Sequence, residues 1–236
     1  YESSSNTLTL RGASIQGGSN AVSAPYGSGI YALSHSGQPV SLTIKLIGEN
    51  TITGLYGIFL NAEINASSYG TNATLTITGE SNGSLKVSGS SSYGIYVKSG
   101  TGNASLTIEN ASVDATSSVS YSSYAGVCVG SSVSATAPAL SLAVNGGSLT
   151  TSASEGNDGI QFIVGSSQAT GATTSLTVSD NAIVRANGGI KASRVDEPTP
   201  SGTGIVFDGT EGTVYGDVTL DESLTINQGE TLTILE

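Results

Sequence analysis

Aromatic side chains recur beside a short Gly-Ile motif in the first half of the chain. Tyr31, Phe59 and Tyr96 directly follow the Ile of three successive copies, and Tyr56 and Tyr93 precede the Gly of the second and third. Alternate side chains of a strand point to opposite faces, so the Ile would face a core and the next ring would face outward. Outward rings among Ser, Thr and Asn could bind sugar rings, and these five are our candidate carbohydrate-binding residues. The same pattern also fits rings that stack on one another and stabilise the sheet.

Acidic residues are the second group that could do chemistry. Glu49, Glu80, Glu109 and Asp180 each follow a hydrophobic run as single residues, and the densest acidic stretch, 208–222, contains no Lys or Arg. Enzymes that cleave acidic polysaccharides need carboxylates grouped with each other, with Ca²⁺ or with a basic partner. We therefore predict no catalytic residue, no metal site and no cofactor, and we leave weak calcium binding open.

His35 and Cys128 are the single histidine and the single cysteine of the chain. His35 lies in a polar loop without a periodic acidic partner, which indicates a loop residue rather than a general base. Cys128 occupies the position that Tyr31 has in its own repeat, which indicates a packed, unpaired thiol. One residue of each kind also excludes a zinc site of the usual cysteine–histidine type.

Short hydrophobic runs repeat along the chain and would position these side chains. A Leu-x-hydrophobic run recurs at intervals of 31 to 36 residues, at Leu8, Leu42, Leu75, Leu106, Leu142 and Leu176. Gly-Ile/Val-x runs alternate with it and contain Ile30, Ile58, Ile95, Val127, Ile160, Ile190 and Ile205. A third run, such as 84–87, lies between the two motifs. Asn follows the first run by a few residues, at Asn50, Asn82, Asn110, Asn145, Asn181 and Asn227.

Three short strands in each unit predict a solenoid in which every strand pairs in parallel with its copy in the next coil. The Ile and Val residues would form an inner column, and Asn suits the turns because it tolerates left-handed backbone. A propeller needs four strands per blade, and the Asn-Gly pairs at 82–83 and 145–146 could make hairpins, but most units lack that pair. The predicted fold class is all-β, a right-handed parallel β-helix of about seven coils with three short strands each.

Composition excludes several functional classes. The chain has 236 residues, a formal net charge of −11 and only 7 Lys and Arg, so it offers no basic patch for nucleic acid. No apolar run is long enough to span a bilayer, so we expect no membrane insertion. The β-branched runs argue against disorder despite the abundance of Ser, Thr and Gly.

The Leu-Thr-Ile and Gly-Ile-Tyr repeats, from about residue 6 to 208, resemble the right-handed parallel β-helix (pectin-lyase-like) superfamily. They are most similar to Ser/Thr/Gly-rich, carbohydrate-binding-type β-helix domains of bacterial surface proteins. This resemblance implies a non-catalytic module at the cell surface or secreted outside the cell. Its role would be adhesion or the binding of a polysaccharide or host-surface glycan. A polysaccharide lyase or hydrolase of the pectate-lyase type and a purely structural stalk are the alternatives.

We expect residues 1–236 to form a single β-helix domain and to be monomeric. Residues 208–236 would form a terminal coil or lead into a further domain, because 212–220 resembles such connecting segments in bacterial surface proteins. The stretch 196–202, which contains two prolines, is interpreted as a loop that closes a shortened coil.

Overall fold

A computed structural model describes residues 1–18, 27–35, 37–65, 68–69, 72–119, 124–132, 137–165, 171–220 and 223–235. The regular elements in these ranges are all β-strands. In chain order they are β1 (Thr7–Arg11), β2 (Ser14–Gln16), β3 (Ile30–Leu33), β4 (Val40–Gly54), β5 (Ile58–Asn61), β6 (Glu63–Asn65), β7 (Ser68–Tyr69), β8 (Ala73–Gly89), β9 (Ile95–Ser99), β10 (Ala104–Ser117), β11 (Val127–Ser131), β12 (Ala139–Ala153), β13 (Ile160–Val164), β14 (Thr173–Ala186), β15 (Ile190–Ser193), β16 (Ser201–Asp208), β17 (Glu211–Tyr215) and β18 (Thr231–Ile234).

Two parallel sheets make up a β-solenoid. The long-strand sheet contains β4, β8, β10, β12 and β14 in that order, and β1 and β2 pair with the two halves of β4. The short-strand sheet has the order β15-β13-β11-β9-β5-β3. Each coil consists of one long strand and the short strand that follows it. The all-β solenoid fold is confirmed.

The coil count and the strand count differ from the prediction. There are about five complete turns rather than seven, because the first coil is only partly built and Ile205 does not continue the Gly-Ile column. Ile205 pairs with Ile183 in the long-strand sheet instead. The Leu-x-hydrophobic run of each unit and the third run, which follows it, are joined in one strand of 14 to 17 residues.

Residues with left-handed backbone divide each long strand into two halves. They are Gly48, Asn82, Asn110, Gly146, Gly147, Asp180 and Asn181, all with positive φ. The strand register shifts near these bends, for example between Glu109 and Ser112. Across Asn110 the buried side chains change from even positions such as Ile108 to odd positions such as Val113. The left-handed residue therefore lets both halves of the strand turn their apolar side toward the core, and Gly and Asn adopt this conformation at least cost.

The core is a stack of aligned apolar columns. Ile58, Ile95, Val127 and Ile160 pair successively in the short-strand sheet and have no exposed surface. Ile30 and Ile190 extend the column at its two ends. The inner Ile/Val column is thus confirmed for six of its seven predicted members. On the opposite sheet Leu42 to Leu176 also align, whereas Leu8 pairs with Ile44 and lies out of register with that column.

The C-terminal strands leave the parallel pattern. β16 still pairs in parallel with β14, but β17 runs antiparallel to β16, and β18 pairs in parallel with β17. Arg185 anchors this segment on the long-strand sheet. Its guanidinium carbon lies 3.9 Å from the Phe207 ring centroid, and its Nη1 donates to Glu230 Oε1 at 2.7 Å.

Candidate functional site

The outer face of the short-strand sheet presents two columns of side chains along the solenoid axis. Strand register aligns the first column as Tyr31, Phe59, Tyr96, Cys128, Gln161 and Lys191. Two residues further along each strand, the second column contains Leu33, Asn61, Lys98, Gly130, Ile163 and Ser193. In its first column the outer face is therefore aromatic at the end near β3 and polar at the end near β15.

The three predicted rings of the first column form a continuous row. The ring centroids of Tyr31 and Phe59 are 5.4 Å apart, and those of Phe59 and Tyr96 are 5.2 Å apart with 6° between the ring planes. These distances are close to the spacing of about 4.8 Å between hydrogen-bonded strands. The solenoid thus supplies one ring per coil over three coils.

Tyr56 and Tyr93 do not form a separate second row, since their ring centroids are 6.4 Å apart and tilted. Tyr56 instead stacks on Phe59 at 4.6 Å, and Tyr93 contacts Tyr96 at 4.7 Å. Tyr124 meets Tyr93 edge to face at 4.9 Å. All five predicted residues are therefore brought together, and with Tyr124 they form what we call the aromatic cluster.

Mutual stacking decides which parts of the rings a ligand could reach. Phe59 and Tyr93 are buried, with 6% and 7% of their surface exposed, whereas Tyr31, Tyr56 and Tyr96 are half-buried. Stacking between neighbours covers ring faces that would otherwise be open to a sugar. A ligand on this face would consequently meet ring edges and phenol hydroxyls more than flat ring faces.

Burial also determines the ionisation of the cluster. It raises the pKa of Tyr93 and of Tyr96 well above the ordinary value for tyrosine. Burial likewise raises the pKa of Tyr56, although the nearby Ser92 hydroxyl opposes that shift. These phenols are neutral at physiological pH and can both donate and accept hydrogen bonds.

Cys128 is fully buried beside Tyr93, in the same apolar group as Ala125. Burial raises the pKa of its thiol, so the reactive thiolate is disfavoured. The interpretation of Cys128 as a packed thiol agrees with this environment.

Gly130 lets Tyr96 lie across the neighbouring coil. A Cβ atom at Gly130 would be 3.4 Å from the Tyr96 ring and 3.1 Å from the carbonyl oxygen of Ile163. The glycine thus provides room for the ring. This contact could have been predicted from the sequence. Gly130 comes two residues after Cys128, so it lies on the outer face of the coil next to that of Tyr96.

An ion pair that sequence reasoning missed lies beside the cluster. Lys98 Nζ pairs with Glu63 Oε2, and Ser132 Oγ donates to the same oxygen at 2.7 Å. Burial alone would raise the pKa of Glu63, but the hydrogen bonds from Lys98 and Ser132 outweigh it and hold the pKa below its usual value. The acidic and basic charges next to the rings therefore neutralise each other.

The other chemically suggestive residues are dispersed. Glu80 pairs with Lys45 at 2.7 Å on the surface. His35 lines a cavity of about 610 Å³ near the N-terminal end together with Tyr31, Gln38 and Pro39. Within the described ranges no three His, Cys, Asp or Glu side chains lie close enough to hold a metal ion. Asp221 and Glu222, part of the predicted acidic stretch, lie outside the described residues.

In the described part of the chain no helix is long and apolar enough to cross a membrane. Comparisons with family models, with curated proteins and with solved structures find no match to this chain. What the chain's own geometry establishes is a parallel β-solenoid of about five turns with an aromatic cluster on one outer face.

Proposed function

We propose that this chain is a non-catalytic, extracellular β-solenoid module of a bacterial surface or secreted protein and that it binds polysaccharide. The observation that carries the proposal is the row of Tyr31, Phe59 and Tyr96, which repeats one ring per coil along the axis. A polymer lying along that axis would meet a similar contact at each coil. The extracellular and bacterial parts of the proposal rest on the resemblance of the repeats to Ser/Thr/Gly-rich surface domains.

The half-buried tyrosines would make the contacts. Tyr31, Tyr56 and Tyr96 can offer ring edges and hydroxyls to sugar hydroxyls, while buried Phe59 and Tyr93 hold them in place. Exposed hydrogen bonds to sugars compete with water and contribute little each. We therefore expect a dissociation constant on the order of 0.1–1 mM for a polymer segment, corresponding to about 4–5.5 kcal/mol.

Affinity electrophoresis on gels that contain neutral or acidic polysaccharides tests this proposal. The double variant Tyr31→Phe/Tyr96→Phe keeps the ring stacking and removes two hydroxyls, and Tyr31→Ala removes the ring at the end of the row. Tyr215→Phe, in β17, is the matched control on the other sheet. We expect retardation of the wild type and the control, and reduced retardation of the two cluster variants. Equal retardation of all four folded proteins would contradict the role of the cluster.

A purely structural stalk is the second candidate function, and the mutual stacking of the rings favours it. The rings of the cluster pack against Cys128 and Ala125, as stabilising side chains would. If no polymer retards the wild-type protein, the structural stalk is the better account of the chain and polysaccharide binding is rejected.

We also propose that the chain does not cleave polysaccharides. The acidic side chains described here are dispersed along the solenoid, whereas lyases and hydrolases need them grouped. Absorbance of unsaturated products and release of reducing sugar from pectate, polygalacturonate and alginate should both stay at background. Turnover that disappears on replacement of an Asp or Glu would show the lyase or hydrolase alternative to be correct.

A further inference from the structure

The polar end of the outer face contains a cavity of about 270 Å³. Asp158, Gln161, Lys191 and Ser193 line it with polar residues, and Ile163 lines it from the same outer face. Phe162 and Ala192 also line it, but they alternate with these residues along β13 and β15, and the Phe162 side chain is fully buried in the core. Ile163 packs against the buried group of Tyr93, Ala125 and Cys128, so the cavity adjoins the aromatic cluster. A small cavity with an apolar surface and a few converging polar groups is the usual form of a small-molecule site.

Gln161 is the unusual residue of this cavity. Only 6% of its surface is exposed. Its Nε2 donates to Asp158 Oδ2 at 2.7 Å, while its buried Oε1 has no hydrogen-bond partner within the described residues. The opposite orientation of the amide would set its oxygen against the carboxylate, so the bond to Asp158 fixes Oε1 as the unpaired atom. A buried acceptor without a donor is unfavourable, and a bound donor would relieve that cost.

We propose that this cavity binds one neutral sugar residue, with a sugar hydroxyl donating to Gln161 Oε1. The inference rests on the proposed polysaccharide-binding function and deepens it by naming a subsite and a class of sugar. Ser193 can donate or accept, and Lys191 Nζ can donate to a second hydroxyl. Lys191 is available for this contact because its ion pair with Glu197 is 3.6 Å long and exposed on both sides, which makes it a weak pair.

Charge and size define the ligand class. The carboxylates of Asp158 and Glu197 outnumber the single ammonium of Lys191 around the cavity, and the whole chain carries a net charge of −11, so an acidic sugar would be disfavoured. A volume of about 270 Å³ lies near the lower end of small-molecule sites, which suits a single sugar residue rather than an oligosaccharide. The site should therefore prefer neutral hexoses over uronic acids.

The test is an NMR titration of the whole chain with methyl glucoside, methyl galactoside, methyl mannoside and D-glucuronate. We expect at least one neutral glycoside to shift the Gln161 side-chain amide signals and glucuronate to leave them unchanged. Gln161→Met keeps the side-chain length and removes the acceptor, and it should weaken glycoside binding about tenfold or more. Gln228→Met, at an exposed position, is the control and should bind as the wild type does.

Thermal unfolding shows whether each variant is folded under the conditions of the titration. Gln161→Met also loses the hydrogen bond from Nε2 to Asp158, so its unfolding temperature should fall whether or not the glutamine binds sugar. Sugar binding therefore separates the two roles: glycoside binding by folded Gln161→Met that equals the wild type would overturn the inference, and so would glucuronate binding as tight as glycoside binding. If neutral polysaccharide retards the wild type and Gln161→Met equally, the cavity is not the binding site, but the proposed polysaccharide-binding function stands. If no glycoside binds and no polymer retards the wild type, both the cavity proposal and the proposed function are wrong.

Discussion

Phe59 stacks on Tyr96 with 5.2 Å between the ring centroids and 6° between the ring planes. The two residues are directly paired in neighbouring short strands, so the strand register itself sets the contact. The stacking of these two rings therefore adds directly to the contact between the two coils. Loss of one ring removes contacts to the coils on both sides, which links the surface of the solenoid to the stability of its core.

Ile95 lies at the centre of the inner column, fully buried between Ile58 and Val127. Ile95→Ala should lower the free energy of unfolding by about 2–5 kcal/mol because it leaves a cavity among packed side chains. Ile95→Val should cost only about 0.5–1.5 kcal/mol. Chemical denaturation monitored by circular dichroism measures both changes. Equal small effects of the two variants would show that the column is loosely packed.

Asn110 is exposed and adopts a φ of 50° at the bend of β10. Asn110→Val should lower the free energy of unfolding by about 1–2 kcal/mol, because a β-branched residue resists left-handed backbone. Asn110→Gly is the matched variant and should be close to neutral, since glycine adopts this conformation freely. The same denaturation experiment compares them, and a tolerated valine would mean that the bend does not depend on this backbone conformation.

Alkaline pH should destabilise the fold through the aromatic cluster. The pKa values of Tyr56, Tyr93 and Tyr96 are raised by burial in the folded chain, whereas an unfolded tyrosine ionises near pH 10. Above about pH 10 the unfolded chain releases these protons and the folded chain retains them, so the free energy of unfolding falls as pH rises. Below that pH the three groups contribute no pH dependence.

Tyr93→Phe/Tyr96→Phe removes two of these titrating groups. Its free energy of unfolding should fall less steeply above pH 10 than that of the wild type, as followed by denaturation at a series of pH values. Identical slopes for the two proteins would place the alkaline sensitivity elsewhere in the chain.

Cys128 should resist thiol reagents in the folded protein. Its side chain has no exposed surface, and burial raises the pKa of the thiol, so both access and thiolate are lacking. With Ellman's reagent at pH 7 we expect no reaction of the native chain and one equivalent of thiol in denaturant. Rapid reaction under native conditions would mean that the aromatic cluster opens readily.

The sequence predicted those features that depend on short periodic patterns. The Ile column and the row of Tyr31, Phe59 and Tyr96 follow from spacing and strand alternation alone, and the structure contains both. The merging of two runs into one long strand was not predicted, because a single left-handed Asn or Gly can bend a strand without ending it. The prediction that Ile205 continues the Ile column was wrong, because a Gly-Ile-Val run fits a strand of either sheet.

Contacts made by residues outside the repeated runs could not be read from the sequence. Glu63 pairs with Lys98 from a segment outside the repeated motifs, and no periodic pattern indicates that position. The unpaired oxygen of Gln161 depends on the exact direction of the bond to Asp158. Both features depend on a residue outside the repeated runs, Glu63 or Asp158, whose position composition and spacing leave undetermined.

The reversal of direction at β17 has a consequence for assembly. A second copy of the solenoid could add in parallel to the edge of β15, but on the long-strand sheet it would meet β18, which runs opposite to the coils. An incoming coil would therefore pair in parallel with one sheet and antiparallel with the other. The reversed strands β17 and β18 cover the edge of β16 that would otherwise continue the parallel stack, and covering an edge is one way in which proteins limit pairing with another chain.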